Sequence, residues 1–198
     1  MQDHIIYAAA WLSFGLGHSL LASNCLKSRL NTVFGSYYRL CYNLFAALHF
    51  AAVIAVGRIH VEAGGYQFNT NSGYALIALQ VLGWIVLIWG CKGYDWGLFA
   101  GFKQIRDRRL GLNEAETEPL VMAGLHRYVR HPIYSGVFLI LWGWADGERA
   151  LATAVWGSVY LLVGTCFEER KLLDLYGQAY RDYRQRVPAF IPWKGRAI

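Results

Sequence analysis

The chain has 198 residues, enough for one domain. It is 56% hydrophobic and only 16% charged, where a soluble domain carries roughly a quarter charged residues. The net charge of +6 is segregated, short basic stretches alternating with long uncharged ones. That distribution argues against a nucleic-acid binder and for a multi-pass membrane protein.

Five apolar segments stand out, at 5–22, 40–57, 74–91, 132–146 and 150–167. Measured against the ~20 residues that cross a hydrocarbon core, the first three are credible spans and the last two are short. Asp146-Gly147-Glu148-Arg149 between those two implies a helical hairpin. The fold class expected is all-α integral membrane: five transmembrane helices, the last two a short hairpin, then a cytoplasmic amphipathic helix. Of the nineteen basic residues, all but Arg58 and Arg149 fall on one side of this arrangement. The excess of Lys and Arg places that side in the cytoplasm, with the N-terminus outside and the C-terminus inside. The inner membrane of a bacterium is the expected location. The opening Met1-Gln2-Asp3 lacks the basic region of a cleavable signal, and none is expected.

In chain order, the first span carries His18 and the second Tyr42, Asn43 and His49. An intramembrane histidine is a functional candidate, with an interhelical hydrogen bond as the plainer reading. Residues 58–73 read as a connector. Trp84 and Trp89 in the third span are candidate interfacial anchors. Tyr94 to Gln104 is aromatic and glycine-rich and ends in a basic run. It is either an interfacial belt or a mobile wall over a pocket that a lipidic or volatile molecule enters sideways. Residues 107–119, with Asp107, Glu114, Glu116 and Glu118, read as a solvated loop. Cys25, Cys41, Cys91 and Cys166 show no metal-ligand spacing and read as reduced packing residues; no metal site is expected.

Two stretches carry the chemistry. The run Gly124-Leu-His-Arg-Tyr-Val-Arg-His-Pro-Ile-Tyr134 sets two histidines, two arginines and two tyrosines before an apolar segment. Pro132 suits a first helical turn, whose free N–H groups favour an anionic group there, together with Arg130. The plainer reading is a basic flank holding a membrane helix in register. Glu168 and Glu169 stand where the last span emerges. Carboxylates oppose the helix dipole there, and a cationic partner would relieve the conflict. The hairpin returns residue 168 to the level of residue 131, so both clusters should share one cytoplasmic pocket. Such a pocket suits a ligand with a carboxylate, an ammonium, ribose hydroxyls and a cationic centre, the last facing Tyr128 and Tyr134. Beyond it, Leu172, Tyr176, Tyr180, Tyr183 and Val187 recur at helical steps, Gly177 interrupting at modest cost.

These residues carry a resemblance. Gly124, Arg130-His131-Pro132-x-Tyr134, Glu168-Glu169-x-x-Leu172 and Tyr176-Gly177-x-x-Tyr180-x-x-Tyr183 before Val187-Pro188 resemble the integral-membrane S-adenosylmethionine-dependent methyltransferases. That family includes isoprenylcysteine carboxyl and phospholipid methyltransferases. The resemblance covers about 117–193 and implies a cofactor pocket lined by Leu120, Val121, His126, His131, Pro132, Tyr134 and Glu168. His126 stands where relatives often carry tyrosine, and Glu118 where some carry histidine. In the N-terminal half, His18-Ser-Leu-Leu-Ala-Ser, Lys27 and Arg39-x-x-Tyr42-Asn43 look like the NnrU family. Leu98-Phe-Ala-Gly-Phe-Lys-Gln104 looks like a segment of the methanethiol S-methyltransferases, with Lys103 for the usual arginine and Trp96-Gly97 in place of a His-Phe-Asp. Compared with those enzymes the chain is shorter at its N-terminus, by one expected span.

The resemblance implies methyl transfer from S-adenosylmethionine to a small thiol such as methanethiol, or to a lipidic acceptor within the membrane. Residues 117–193 would bind the methyl donor. Residues 1–106 would form the acceptor half, with Lys103, Gln104 and His18 as substrate contacts. Isoprenylcysteine methyltransferases carry an arginine one turn before the glutamate pair; here that residue is Gly164, so a carboxylate acceptor lacks its bidentate partner. Glu169 or His126 is the candidate proton acceptor if the thiol arrives protonated. Methylation of a prenylcysteine carboxylate or lipid amine remains an alternative. So does a haem-dependent isomerase of the NnrU type acting on carotenoids, with His18 and His49 as ligands.

Overall fold

The computed structural model describes residues 1–66, 69–112 and 120–195. The acidic run Glu114, Glu116 and Glu118 lies outside them. Nine α-helices are found among the described residues: α1 (Gln2–Ala22), α2 (Asn24–Phe34), α3 (Tyr38–His60), α4 (Thr70–Cys91), α5 (Trp96–Ala100), α6 (Phe102–Arg109), α7 (Pro132–Gly143), α8 (Glu148–Tyr176) and α9 (Gln178–Arg186). Four stretches are long and apolar enough to cross a membrane: α1, the run Cys25–His60 that contains α3, α4 and α8. This is an all-helical integral membrane protein. The expected fourth span is realised as α7, only 12 residues long. At 1.5 Å per residue it covers about 18 Å, short of the ~30 Å hydrocarbon layer. The expected hairpin is present as α7–α8.

The chain divides into two compact units, residues 1–60 with 94–119, and residues 61–93 with 120–198. In the first, α1 and α3 run antiparallel, and aromatic rings pair down the contact. Tyr7, Trp11 and Phe14 lie on one stripe of α1 and are buried. Tyr7 rests on Gly57, where an added Cβ would stand 2.7 Å from its ring. Trp11 meets Phe50, Phe14 meets His49 and His18 meets Tyr42, with ring centroids 5.8, 5.5 and 5.3 Å apart. The two histidines of these helices each make an interhelical hydrogen bond: His18 Nε2 bonds the Tyr42 hydroxyl at 2.6 Å and His49 Nε2 bonds Ser13 Oγ at 3.0 Å. Ser23 ends α1 and caps α2 by accepting from the Leu26 amide.

In the second unit, α4 and α7 pack antiparallel through glycines seven residues apart on each helix. A Cβ on Gly83 would meet the Ile140 amide at 2.8 Å, one on Gly136 the Leu87 amide at 2.7 Å, and one on Gly143 the Gln80 amide at 2.7 Å. Bare backbone contact of this kind is how membrane helices gain packing energy where lipid removes the hydrophobic drive. At one end, the Tyr66 amide donates to the Asp146 carbonyl and the Glu148 amide to the Gly64 carbonyl. This clasps the α3–α4 connector to the α7–α8 turn. From there α8 runs 29 residues, about 43 Å, so its last turns project past a hydrocarbon layer. Gly177, at φ +55°, ends α8 and starts α9. The amphipathic stretch is therefore two helices, the first continuous with the last span. Its stripe does form a core: Tyr180, Tyr183 and Val187 are buried against Leu120, Leu172, Leu173 and Tyr176.

Candidate functional site

The two chemically distinctive stretches meet in the second unit. Pro132 opens α7 at its first turn, as its missing N–H allows, and His131 stands at the cap position. Glu168 and Glu169 lie in the projecting turns of α8. Arg130 Nε and Nη2 both donate to Glu169 Oε1, at 2.8 and 2.5 Å. His131 Nε2 is 3.2 Å from the same oxygen, and Arg184 Nε lies 3.4 Å from Oε2. Because α8 continues to Tyr176, the glutamate pair does not stand at a helix end as expected and the dipole conflict does not arise; the cations that meet Glu169 are Arg130 and Arg184. The anion beside the α7 N-terminus is supplied by the chain itself, as Glu169.

The segment after α9 completes the arrangement. Arg130 Nη1 donates to the carbonyls of Val187 and Arg184. The amides of Arg130 and His131 donate to the carbonyls of Pro188 and Ala189, at 2.9 and 3.0 Å, and Ser135 Oγ donates to the Phe190 carbonyl at 2.8 Å. Two aromatic rings lie against His131. Tyr134 stacks on it at 5.5 Å with planes 5° apart, and Phe190 lies at 5.8 Å. Its side chain is only 5% exposed, and its Nδ1 faces Glu168 Oε2 at 3.7 Å, beyond hydrogen-bond reach. That Glu168 oxygen is buried without a hydrogen-bond partner among the described residues, although the rest of the side chain is accessible.

His126 is buried in the short 3₁₀ turn Gly124–Arg127, whose backbone is held by Tyr183, its hydroxyl donating to the His126 carbonyl at 2.6 Å. Burial foremost, and then charge on His131, lowers the His126 pKa below its ordinary 6.5 and favours the neutral ring. At Gly93, beyond the end of α4, a Cβ would touch both Val121 and the His126 ring, at 3.7 and 3.9 Å. Tyr180 has its phenol pKa raised, by burial first and then by the Glu169 charge.

His131, Pro132, Tyr134, Glu168 and Glu169 are therefore brought together directly. Val121 and His126 both lie beside Gly93, and Leu120 packs on the Tyr180–Val187 core. Lys103, Gln104 and His18 fall in the first unit. There Lys103 pairs with Asp95 at 3.0 Å, which lowers the Asp95 pKa, and Gln104 donates to the Leu98 carbonyl at 3.1 Å. The carbonyls that end α5 are capped from α3: Arg39 Nε donates to Phe99, and Asn43 Nδ2 to Phe99 and Ala100. Gly101, at φ +98°, lets this turn lie against the Leu40 amide. Sequence reading left Arg184 and Phe190 out of the site and gave Arg130 no partner. The expected meeting of the two clusters pointed to a cation such as Arg130; no periodicity points to Phe190.

Compared with known proteins, residues 68–179 match the family model described as phospholipid methyltransferase. Methanethiol S-methyltransferase 1 of Bradyrhizobium diazoefficiens is 28% identical over 91% of this chain and 64% of its own length. The methanethiol S-methyltransferase of Crocosphaera subtropica is 29% identical over 92% of this chain and 72% of its own length. The mouse protein-S-isoprenylcysteine O-methyltransferase is 33% identical over 40% of this chain and 30% of its own length. This chain thus spans about two thirds of the methanethiol S-methyltransferases it resembles. No solved structure matches it significantly. The family match encloses Arg130, His131, Pro132, Tyr134 and the glutamate pair, and the chain belongs to the phospholipid methyltransferase family.

Proposed function

We propose that the protein transfers a methyl group from S-adenosylmethionine to a small thiol such as methanethiol, at the cytoplasmic face of a bacterial inner membrane. One observation supports the cofactor reading: Glu168 Oε2 is a buried acceptor with no hydrogen-bond donor among the described residues. A buried acceptor left in this state is costly, and an ammonium or ribose hydroxyl of the cofactor would relieve it. S-Adenosylmethionine supplies an electrophilic methyl group on a sulfonium sulfur. The chain binds and orients. Glu168 accepts from the cofactor's donors, and Leu120 and Val121 offer apolar walls. Tyr134 presents an aromatic face toward a cationic centre, with His131 stacked behind it.

Glu169 enters this reading as the anchor of Arg130 and His131. Its Oε1 already receives two guanidinium donors, a poor starting point for taking a proton. His126, favoured neutral, is the better acceptor of a thiol proton at its unprotonated ring nitrogen. Lys103, Gln104 and His18 remain candidates for the acceptor side, the first two also setting the shape of the 95–104 turn. Five crossings with the N-terminus outside fit the clasp between residues 64–66 and 146–148, since it joins two connectors expected on the outer face. Support for a thiol over a carboxylate comes from the names of the two longest-matching relatives cited above and from Gly164, which puts no arginine before the glutamate pair. The haem reading has less support, because the Nε2 atoms of His18 and His49 are both hydrogen bonded.

The test is transfer of labelled methyl from S-adenosylmethionine by the purified chain. The acceptor panel comprises methanethiol, longer alkyl thiols, a lipid amine and a prenylcysteine analogue. Transfer to the thiols is expected. Transfer confined to the amine or the prenylcysteine would overturn the acceptor, and absence of cofactor binding by calorimetry would overturn the whole reading.

A further inference from the structure

The first unit contains a partly open cavity of about 370 Å³ between α1, α2 and α3, within the ~300–1,000 Å³ of small-molecule sites. Leu20 and Leu21 of α1, Leu26 and Leu30 of α2, and Cys41 and Phe45 of α3 line it. Its hydroxyls are already engaged: Tyr38 donates to the Leu21 carbonyl, and Tyr42 bonds His18. Nothing in the lining calls for a polar ligand, whereas an apolar void left empty forfeits dispersion contacts on every wall. Around its mouth Leu20 is 61% exposed and Phe34 42% exposed. In a protein with membrane-crossing helices, the apolar matter available to such an opening is hydrocarbon chain.

Charge selects which lipid. On α2, Leu26, Leu30 and Phe34 form one stripe, and at about 100° per residue Lys27 and Arg29 flank it, one on each side. Both side chains are exposed, a placement that lets their stems cover apolar surface while the charges reach headgroup level. No Asp or Glu occurs anywhere from residue 4 to residue 61. Among the described residues of this unit, the carboxylates are committed elsewhere: Asp3 to His60, Asp95 to Lys103 and Asp107 to Arg106. Lys27 and Arg29 have no ion-pair partner among the described residues, which leaves both charges available to an anionic headgroup.

We infer that α1, α2 and α3 form a binding site for one anionic phospholipid, an acyl chain filling the cavity and the phosphate headgroup lying against Lys27 and Arg29. This site is independent of the methyl-transfer reading. A basic side chain near an anionic headgroup is worth about fivefold in affinity, and two act here.

Cys41 lines the cavity and reports its occupancy. In the full chain carrying C25S, C91S and C166S, an uncharged maleimide labels Cys41 alone. In nanodiscs containing phosphatidylglycerol, labelling is expected to be at least fivefold slower than in pure phosphatidylcholine. Adding Lys27→Gln and Arg29→Gln removes that difference. Equal rates in the two lipids, or slowing that survives the double substitution, overturns the site. Stronger protection by an alkyl thiol than by phosphatidylglycerol assigns the cavity to the methyl acceptor and likewise overturns it. Should the cysteine variant fail to fold, native mass spectrometry of the unaltered chain is decisive. Selective retention of one phosphatidylglycerol, lost in the Lys27→Gln, Arg29→Gln double variant, supports the site, and no selectivity refutes it.

Discussion

Arg130 holds more of the candidate site than any other single side chain. It neutralises Glu169 and ties the backbone of Arg184 and Val187 to the start of α7. Both partners are about 10% exposed, and removing Arg130 leaves the Glu169 carboxylate only its longer contacts with His131 and Arg184. Arg130→Ala is expected to cost ~3–5 kcal/mol in denaturant unfolding of the detergent-solubilised protein. Arg130→Lys keeps the charge but cannot reproduce the fork, and should recover only part of that loss. His126 makes a separate, pH-dependent prediction. Its folded-state pKa lies below 6.5, so the unfolded chain takes the proton first as pH falls. The stability it contributes is complete above pH 6.5 and is lost as pH drops through the lower, folded value. Unfolding of the His126→Gln variant, followed from pH 7.5 downward, should show a shallower decline than the parent over that window.

At the scale of elements, the α4–α7 contact depends on atoms that are absent. Gly136→Ala would place a methyl group 2.7 Å from the Leu87 amide, against backbone that cannot yield. Overpacking of this kind costs ~1–3 kcal/mol, visible as a lowered thermal midpoint. Gly164→Ala meets nothing within 4 Å and serves as the control; as a helical glycine its replacement is expected to be neutral or stabilising by up to ~1 kcal/mol. The hydrophobic pattern shows that 74–91 and the stretch after residue 131 are apolar, but not that they touch. The pairing of Gly83 and Gly90 with Gly136 and Gly143 is legible only once the two helices are set antiparallel. The boundary of α7 escaped for a related reason. Trp144 and Ala145 are apolar enough to extend the span, yet residues 145–148 leave the helix to pair with 64–66.

For the whole molecule, the expectation is a division of labour between donor and acceptor. His131→Ala removes the ring that contacts Tyr134 and Phe190 and should weaken S-adenosylmethionine binding by ~10-fold or more, measured by calorimetry. Lys103→Ala breaks only the exposed pair with Asp95 and should leave that affinity within about twofold while changing kcat/KM for the thiol. Equal losses of cofactor affinity in both variants would refute the division.

The sequence alone determined the membrane class, the family and the meeting of His131 with the glutamate pair. Apolar run length, charge segregation and a helix that must turn back are local properties, written in consecutive residues. The tertiary structure decided what those residues do to one another. It turned Glu169 from a free carboxylate into the anchor of Arg130. It brought residues 187–190 against Arg130 and His131 and left Glu168 Oε2 without a donor among the described residues. It also opened a chain-sized cavity beneath α2. Each depends on segments far apart in sequence meeting within hydrogen-bond or van der Waals reach, and no spacing along one strand of text encodes that distance.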